Sequence, residues 1–334
     1  MFRPAMKRFP VLLVYVSAFL ILSAILTISG CGGPAFSTAP EIRSPVLYFF
    51  SLLDDQAQDG PRTYVSASGT SLTPFTKRDG ANIVPYIAGF RDPRLLHVGG
   101  LYYYSYTAHR HRSPTLGLLY SLDLKNWTPV NTPDWSGLGV TRYENAIWNG
   151  AWWDDKGTYY LFFGVCQRSA FSICQPYFVH FMPGLNTFGT PHAISFTTPA
   201  PYGYNIVMSV FRTVGKNWAL LQTRDSHRRS IVALASFASL SAPWTTTWTM
   251  IGDQPTDRES GAVIVLPNGI PRVYYVRTGG GQLFYTTASG PDPATAKWST
   301  PKIIPPFRPG YQPVDWVDVV AISDFATLRY MSAL

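Results

Sequence analysis

Residues 90–130 read FRDPRLLHVGGLYYYSYTAHRHRSPTLGLLYSLDLKNWTPV. Asp-Pro leads into a short apolar segment, Gly99-Gly100 marks a turn, and an aromatic segment follows. A basic loop, a third apolar segment and a Ser-x-Asp-Leu-x-x-Trp turn complete the unit. Short apolar runs bounded by turn residues predict antiparallel strands joined by hairpins. The pattern recurs: Tyr102-Tyr103-Tyr104, Tyr159-Tyr160-Leu161, Trp218-Ala219-Leu220 and Val273-Tyr274-Tyr275 are the second strands of four units. Each follows a glycine-containing turn (Gly99-Gly100, Lys156-Gly157, Gly215-Lys216, Asn268-Gly269). Five outer edges also match: SASGTSLTPF, SLDLKNWTPV, MPGLNTFGTP, SFASLSAPWT and SGPDPATAKWSTP.

A repeat of roughly fifty residues sets the architecture. The first unit has strands at 46–53 and 63–66 but no opening strand, and the C-terminal stretch 317–331 is apolar without an outer edge. Joining the two closes a ring and leaves no sheet edge exposed at the seam. The expectation is an all-β, five-bladed β-propeller of four-stranded blades, the C-terminal strand completing the N-terminal blade. A β-sandwich is the competing reading, but it does not account for five matching edges.

The first thirty residues stand apart. Arg3, Lys7 and Arg8 precede an apolar run from Val11 to Ile28, and Ile28-Ser29-Gly30-Cys31 resembles a bacterial lipobox. We therefore expect a lipoprotein signal peptide over 1–30, lipidation at Cys31, a lipid-anchored linker over 31–44 and the propeller over 45–334. An uncleaved membrane anchor and an ordinary signal peptide are the alternatives. All three export the remainder, to the bacterial cell envelope in the lipoprotein case.

Removing the leader leaves 24 Lys and Arg against 19 acidic residues, a net charge near +5. With charged residues at 14% and aromatics at 15%, this is not a nucleic-acid-binding composition. A monomer without cofactor is expected. Cys166 and Cys174 flank the turn between two strand-like segments. Either they form a disulfide across that hairpin, as an exporting compartment permits, or they are two buried thiols. No second ligand pair nearby suggests zinc.

Propeller chemistry gathers where the inner strands open onto the central channel. Counting back ten residues from each second-strand aromatic gives Asp92, Asn149 and Met208; Glu259 takes the place in the fourth unit and Asp318 in the closing one. Carboxylates converging on one funnel suit glycosidic bond cleavage, one protonating the leaving oxygen and another activating water or attacking the sugar. The bland reading is that Asp92 caps a turn and Glu259 pairs with an arginine. Asp318 rests on spacing alone, and Glu144 and Asp154 are the candidates under a shifted register.

Phe-Arg-Asp-Pro with its apolar and Tyr-Tyr strands, then Ser-x-Asp-Leu-x-x-Trp, resembles glycoside hydrolase family 43; family 32 also carries Arg-Asp-Pro. The segments 152–163 (WWDDKGTYYLFF) and 231–244 are similar to second-blade and outer-edge elements of the same group. The resemblance covers roughly 47–301. It implies a five-bladed propeller acting on arabinan, xylan and related side chains, inverting with an Asp base, a Glu acid and a second Asp that tunes the acid. Carried over, Asp92 is the base or its electrostatic partner, Glu259 the acid and Asp318 a tuning residue. One departure stands out: the family's Ile-Asp-Pro-Ser segment reads Ile206-Val207-Met208-Ser209 here. The expected function is hydrolysis of a terminal glycosidic bond in an extracellular polysaccharide, arabinofuranosidase- or xylosidase-like. The alternative is a catalytically inactive carbohydrate-binding propeller.

If Asp92 begins its strand at the active face, the loops after the second strands return there. They carry His109, Arg110, His111 and Arg112, then Arg168, Arg224 to Arg229, and Arg277. A cationic mouth would focus an anionic glycan bearing uronate or sulfate; solubility and local pairing are the other reading. Arg91, His109, His111, Asn149, Arg224 and Arg277 are the candidate substrate contacts. Trp148, Trp152, Trp153 and Trp218 could stack on sugar rings, Trp148 being the candidate platform, but packing between blades is the favoured reading for them.

Overall fold

Five antiparallel sheets account for nearly all of the secondary structure. The computed structural model describes residues 47–53, 61–76, 82–85, 87, 90–110, 113–140, 145–167, 173–197, 204–224, 230–246, 251, 258–277, 282–305, 314 and 316–322. At 109–110, 113–114, 258–259 and 277 it describes the backbone alone. The leader, Cys31, the linker, His111 and Glu144 lie outside the described residues.

The strands are β1 (Leu47–Leu53), β2 (Arg62–Ser66) and β3 (Thr73–Pro74); β4 (Phe90–Val98), β5 (Leu101–Arg110), β6 (Ser113–Ser121) and β7 (Thr128–Val130); β8 (Asn145–Asp155), β9 (Thr158–Gln167), β10 (Cys174–Met182), β11 (Thr187–Phe188) and β12 (His192–Ala193); β13 (Ile206–Thr213), β14 (Lys216–Arg224), β15 (Ser230–Phe237) and β16 (Thr245–Thr246); β17 (Arg258–Val265), β18 (Pro271–Arg277), β19 (Leu283–Thr287) and β20 (Lys302–Ile303); and β21 (Trp316–Ile322). Four blades are consecutive in sequence, and the fifth has the order β21-β1-β2-β3. β21 pairs with β1 from Leu53↔Trp316 to Leu47↔Ile322, so the C-terminal strand is the innermost strand of the N-terminal blade. The five inner strands pack in a cycle: β4 on β8, β8 on β13, β13 on β17, β17 on β21, and β21 back on β4. This is a closed five-bladed β-propeller. One 3-10 turn, Ser136–Leu138, is the only helix among the described residues.

Wedge-shaped gaps between blades need bulky filling, and the aromatic richness supplies it. Tyr103 meets Phe181 of the next blade edge-on at 5.0 Å, Trp153 meets Phe237 at 5.5 Å, and Phe50 meets Tyr274 at 5.1 Å. Trp153 and Trp218 are buried, which gives them the packing role.

Four inner strands carry a bulge near their starts, between Arg91 and Arg94, Asn149 and Trp152, Val207 and Ser209, and Glu259 and Gly261. Each adds one residue relative to its partner strand. The bulge in β8 contains Gly150, where a Cβ would lie 2.6 Å from the carbonyls of both Phe162 and Val207, so only glycine lets β8 approach β13 so closely.

The seam is fastened by a buried cation. Arg94 on β4 donates to Asp318 Oδ1 at 3.0 Å and to the carbonyls of Val317 at 3.1 Å and Gly261 at 3.2 Å. Its guanidinium lies 4.6 Å from the Trp316 ring. Asp318 Oδ2 accepts the Leu95 N–H at 2.9 Å, and the Trp316 indole donates to Pro93 O at 3.2 Å. Ser260 adds β17 to the seam, accepting from Val317 N–H at 2.9 Å and donating to Val317 O at 3.2 Å. Burial pulls the Arg94 pKa below its ordinary value, and the adjacent Asp318 pulls it back up.

The Ser-x-Asp turn is also structural. Asp123 Oδ1 accepts from the N–H groups of Asn126 at 2.8 Å and Lys125 at 2.9 Å, and from Ser121 Oγ at 3.1 Å; Oδ2 accepts from the Asn126 amide at 2.7 Å. Burial raises the Asp123 carboxyl, and these hydrogen bonds outweigh it and hold it at about 2. Trp127 then donates to Ile83 O at 2.9 Å, docking the turn.

Breaking the seam pair one-sidedly leaves a buried charge. Arg94→Met should cost about 3–5 kcal/mol in denaturant unfolding, and the double variant Arg94→Met, Asp318→Leu should recover most of it. A double variant no better than the single one would contradict this account. The Asp123 contribution is depressed-carboxylate stability, present above the unfolded value near 3.9 and lost as pH falls toward about 2. The gap in urea midpoint between wild type and Asp123→Ala should therefore narrow from pH 5 to pH 2.

Candidate functional site

Asp92, Met208 and Ser260 lie on the bulges themselves, near the starts of β4, β13 and β17. Trp316 reaches Pro93, which places the start of β21 at the same end of the ring. Antiparallel pairing brings the ends of β5, β9, β14 and β18 there as well: Arg91 faces Thr107, Asn149 faces Phe163, Ile206 faces Gln222 and Glu259 faces Val276. The rim and the loops that follow the second strands thus share one face.

The bulges revise the count of equivalent positions. Asn149 and Glu259 are the last paired residues before their bulges, matching Arg91 and Val207 rather than Asp92. The residue matching Asp92 and Met208 on β17 is Ser260. A fixed count of ten cannot register an inserted residue that is left unpaired. Asp92 and Ser260 share a further property, left-handed backbone with φ of 54° and 56°. Non-glycine residues in that region cost roughly 1–3 kcal/mol, a strain concentrated at functional sites.

Asp92 is buried, at 7% exposure. Its Oδ2 accepts the Thr107 hydroxyl at 2.6 Å, and its backbone carbonyl accepts the Asn149 side-chain amide at 2.6 Å. Thr107 Oγ1 accepts the Asn149 N–H at 2.7 Å. Asn149 is fully buried, and its Oδ1 has no hydrogen-bond partner among the described residues. Arg94 lies close enough to Asp92 to feel its charge.

The other expected residues divide as follows. Asp318 lies beside the same end of β4 at 7% exposure, with both carboxylate oxygens engaged by Arg94 and Leu95. Glu259 belongs to β17, which with β21 and β4 forms three successive inner strands of the ring, and its side chain lies outside the described ones. Side chains of His109 and Arg277 likewise lie outside, at the ends of β5 and β18. Arg91 is half-buried on β4. Arg224 ends β14 with its guanidinium 4.8 Å from the Tyr204 ring, and its Nε is buried without a hydrogen-bond partner among the described residues. Trp148 is half-buried against the main core cluster, as is Tyr204. Met208 is 1% exposed and apolar. Cys166 and Cys174 sit opposite one another on β9 and β10 and are disulfide-bonded, tying the base of a loop on this face. Among the described residues no group of three or more His, Cys, Asp or Glu is placed to hold a metal.

Arg94 and Thr107 were missed from sequence. The available signal was polarity out of place: Arg94 leading directly into the apolar Leu95-Leu96 pair, and Ser105 and Thr107 alternating through an aromatic strand. All three are buried.

No protein-family model matches the chain, and no curated protein does. Solved structures do. A β-xylosidase/α-arabinofuranosidase of glycoside hydrolase family 43 from a compost microbial metagenome superposes with a TM-score of 0.57 at 13% identity, covering 78% of this chain and 92% of that one. An endo-1,4-β-xylanase from Bacteroides thetaiotaomicron gives 0.56 at 13% identity over 81% and 97%. A thermostable family-43 glycoside hydrolase gives 0.53 at 14% identity over 80% and 92%. At such identities the likeness shows the fold alone: this chain has the five-bladed β-propeller fold found in glycoside hydrolases of family 43.

Proposed function

We propose that this protein hydrolyses a terminal glycosidic bond in an extracellular polysaccharide. The observation carrying the proposal is Asp92: a buried carboxylate at the rim, on a strained left-handed bulge, its Oδ2 accepting the Thr107 hydroxyl of its own blade and its backbone carbonyl accepting the Asn149 amide of the next. Burying a carboxylate and straining its backbone both cost stability, which a merely capping aspartate has no reason to incur. In the proposed reaction Asp92 is the general base that activates water, or the electrostatic partner of the base. Glu259 on β17 is the general acid that protonates the leaving oxygen. Asp318 acts through Arg94, fixing a positive charge near Asp92. The xylanase and xylosidase/arabinofuranosidase names of the structural neighbours support a carbohydrate partner.

Arg224 supports an anionic glycan. A half-buried guanidinium over Tyr204, its Nε without a partner among the described residues, suits a carboxylate bound through its fork. We further propose export to the cell envelope, with a signal peptide over 1–30 and a lipid anchor on Cys31. The Cys166–Cys174 disulfide fits an oxidising compartment. A second reading, a carbohydrate-binding propeller without turnover, is favoured by Met208 at the rim and by the full engagement of Asp318.

The test is a panel of nitrophenyl arabinofuranoside, xyloside, galactoside and uronide with wild type, Asp92→Asn and Glu259→Gln. Turnover of at least one substrate, reduced roughly 100-fold or more in both variants, is expected. Equal activity in all three proteins would reject both assignments. Glycan retention without turnover would select the binding reading, and neutral substrates outperforming the uronide would remove the anionic one.

A further inference from the structure

We infer that Thr107 is the positioning residue of Asp92, acting with Asn149 as a fixed clamp across the boundary between two blades. The inference rests on the hydrolase reading for its purpose but not for its geometry.

Hydrogen-bond bookkeeping determines the direction of the clamp. A threonine hydroxyl has one proton to give and lone pairs to receive. Thr107 Oγ1 receives the Asn149 backbone N–H at 2.7 Å, a group that can only donate. Asp92 Oδ2 lies 2.6 Å from the same hydroxyl oxygen, so the threonine proton goes to the carboxylate. Meanwhile the Asn149 side-chain amide donates to the Asp92 carbonyl at 2.6 Å, holding the peptide whose φ is 54°. Carboxylate and backbone of one residue are thus gripped from two directions. Thr107 and Asn149 are both fully buried, and exchange of these bonds with solvent is shut out.

The clamp spans separate elements. Thr107 lies on β5, paired with Arg91, while Asn149 lies on β8 of the next blade. Asp92 is therefore placed by the packing of β4 on β8 as well as by its own strand. Among the described residues, Arg94 on its own strand bears a charge that Asp92 feels, and through Arg94 so does Asp318 on β21; Glu259 belongs to β17. None of them changes in the variants below, so their influence cancels in the comparison.

The experiment follows the Asp92 carboxyl directly, by carbon NMR titration of the detergent-solubilised full chain labelled at aspartate, with Asp92→Asn identifying the signal. Thr107→Val keeps the shape and removes the proton donor; it should raise the Asp92 midpoint by about one pH unit. Thr107→Ser restores the donor and should return the midpoint to the wild-type value. If the valine variant does not fold, Thr107→Ala takes its place with the same expected shift. A valine or alanine variant titrating with wild type, or a serine variant titrating with valine, would overturn the inference. The readout is independent of turnover: a shifted midpoint in a protein inactive on every glycoside upholds the clamp and sinks the hydrolase reading. An unshifted midpoint in an active enzyme does the reverse.

Discussion

The buried Arg94–Asp318 pair is the contact on which the ring depends. A propeller closes only when its last strand finds its first blade, here across a sequence separation of 224 residues. Apolar packing alone would leave β21 free to slide, because slippage exchanges one set of hydrophobic contacts for another. Arg94 removes that freedom. Its two terminal nitrogens find these partners only when Asp318, Val317 O and Gly261 O all surround them, so β4, β17 and β21 lock in one arrangement. A one-residue slip of β21 would turn Asp318 to the opposite face and leave the guanidinium buried and unpaired. The pair thus specifies register, which is the best-attested reason for keeping charges in a core.

That constraint shapes the rim. In a regular strand residues 92 and 94 would point to the same side, and their side chains would compete for one space. The bulge between Arg91 and Arg94 separates them, sending Arg94 into the seam and leaving Asp92 on left-handed backbone at the channel end. Fold closure and candidate chemistry are therefore two outputs of one distorted tetrapeptide. The Ser260 bulge repeats the device on β17, with its hydroxyl spent on Val317.

The repeat was readable because periodicity survives substitution. Tyr102–Tyr104 and Tyr159–Leu161 announce equivalent strands even where no residue is shared between other parts of the units. The closing strand was readable from what each terminus lacked. Register within the inner strands was not, since a bulge adds a residue without leaving a compositional mark; Asn149 and Glu259 were accordingly aligned with Asp92 although they precede their bulges. Arg94 and Thr107 were hidden for a different reason. Their meaning lies in partners on other strands, Asp318 for one and Asn149 for the other, and local pattern does not encode such pairings.

Met208 in place of a rim carboxylate is then less decisive than the sequence makes it. Inversion needs two carboxyl groups, one to activate water and one to protonate the leaving oxygen. In the family pattern a third tunes the acid and is not itself one of the two reacting groups. Around Asp92 a hydroxyl donor already comes from Thr107 and a nearby positive charge from Arg94, the latter held by Asp318. These three side chains set the surroundings of Asp92, the proposed base, and two of them also hold the ring together. Under the hydrolase reading, this couples the electrostatics of the site to ring closure: a change that loosens the seam would alter the environment of Asp92 before it unfolded the protein.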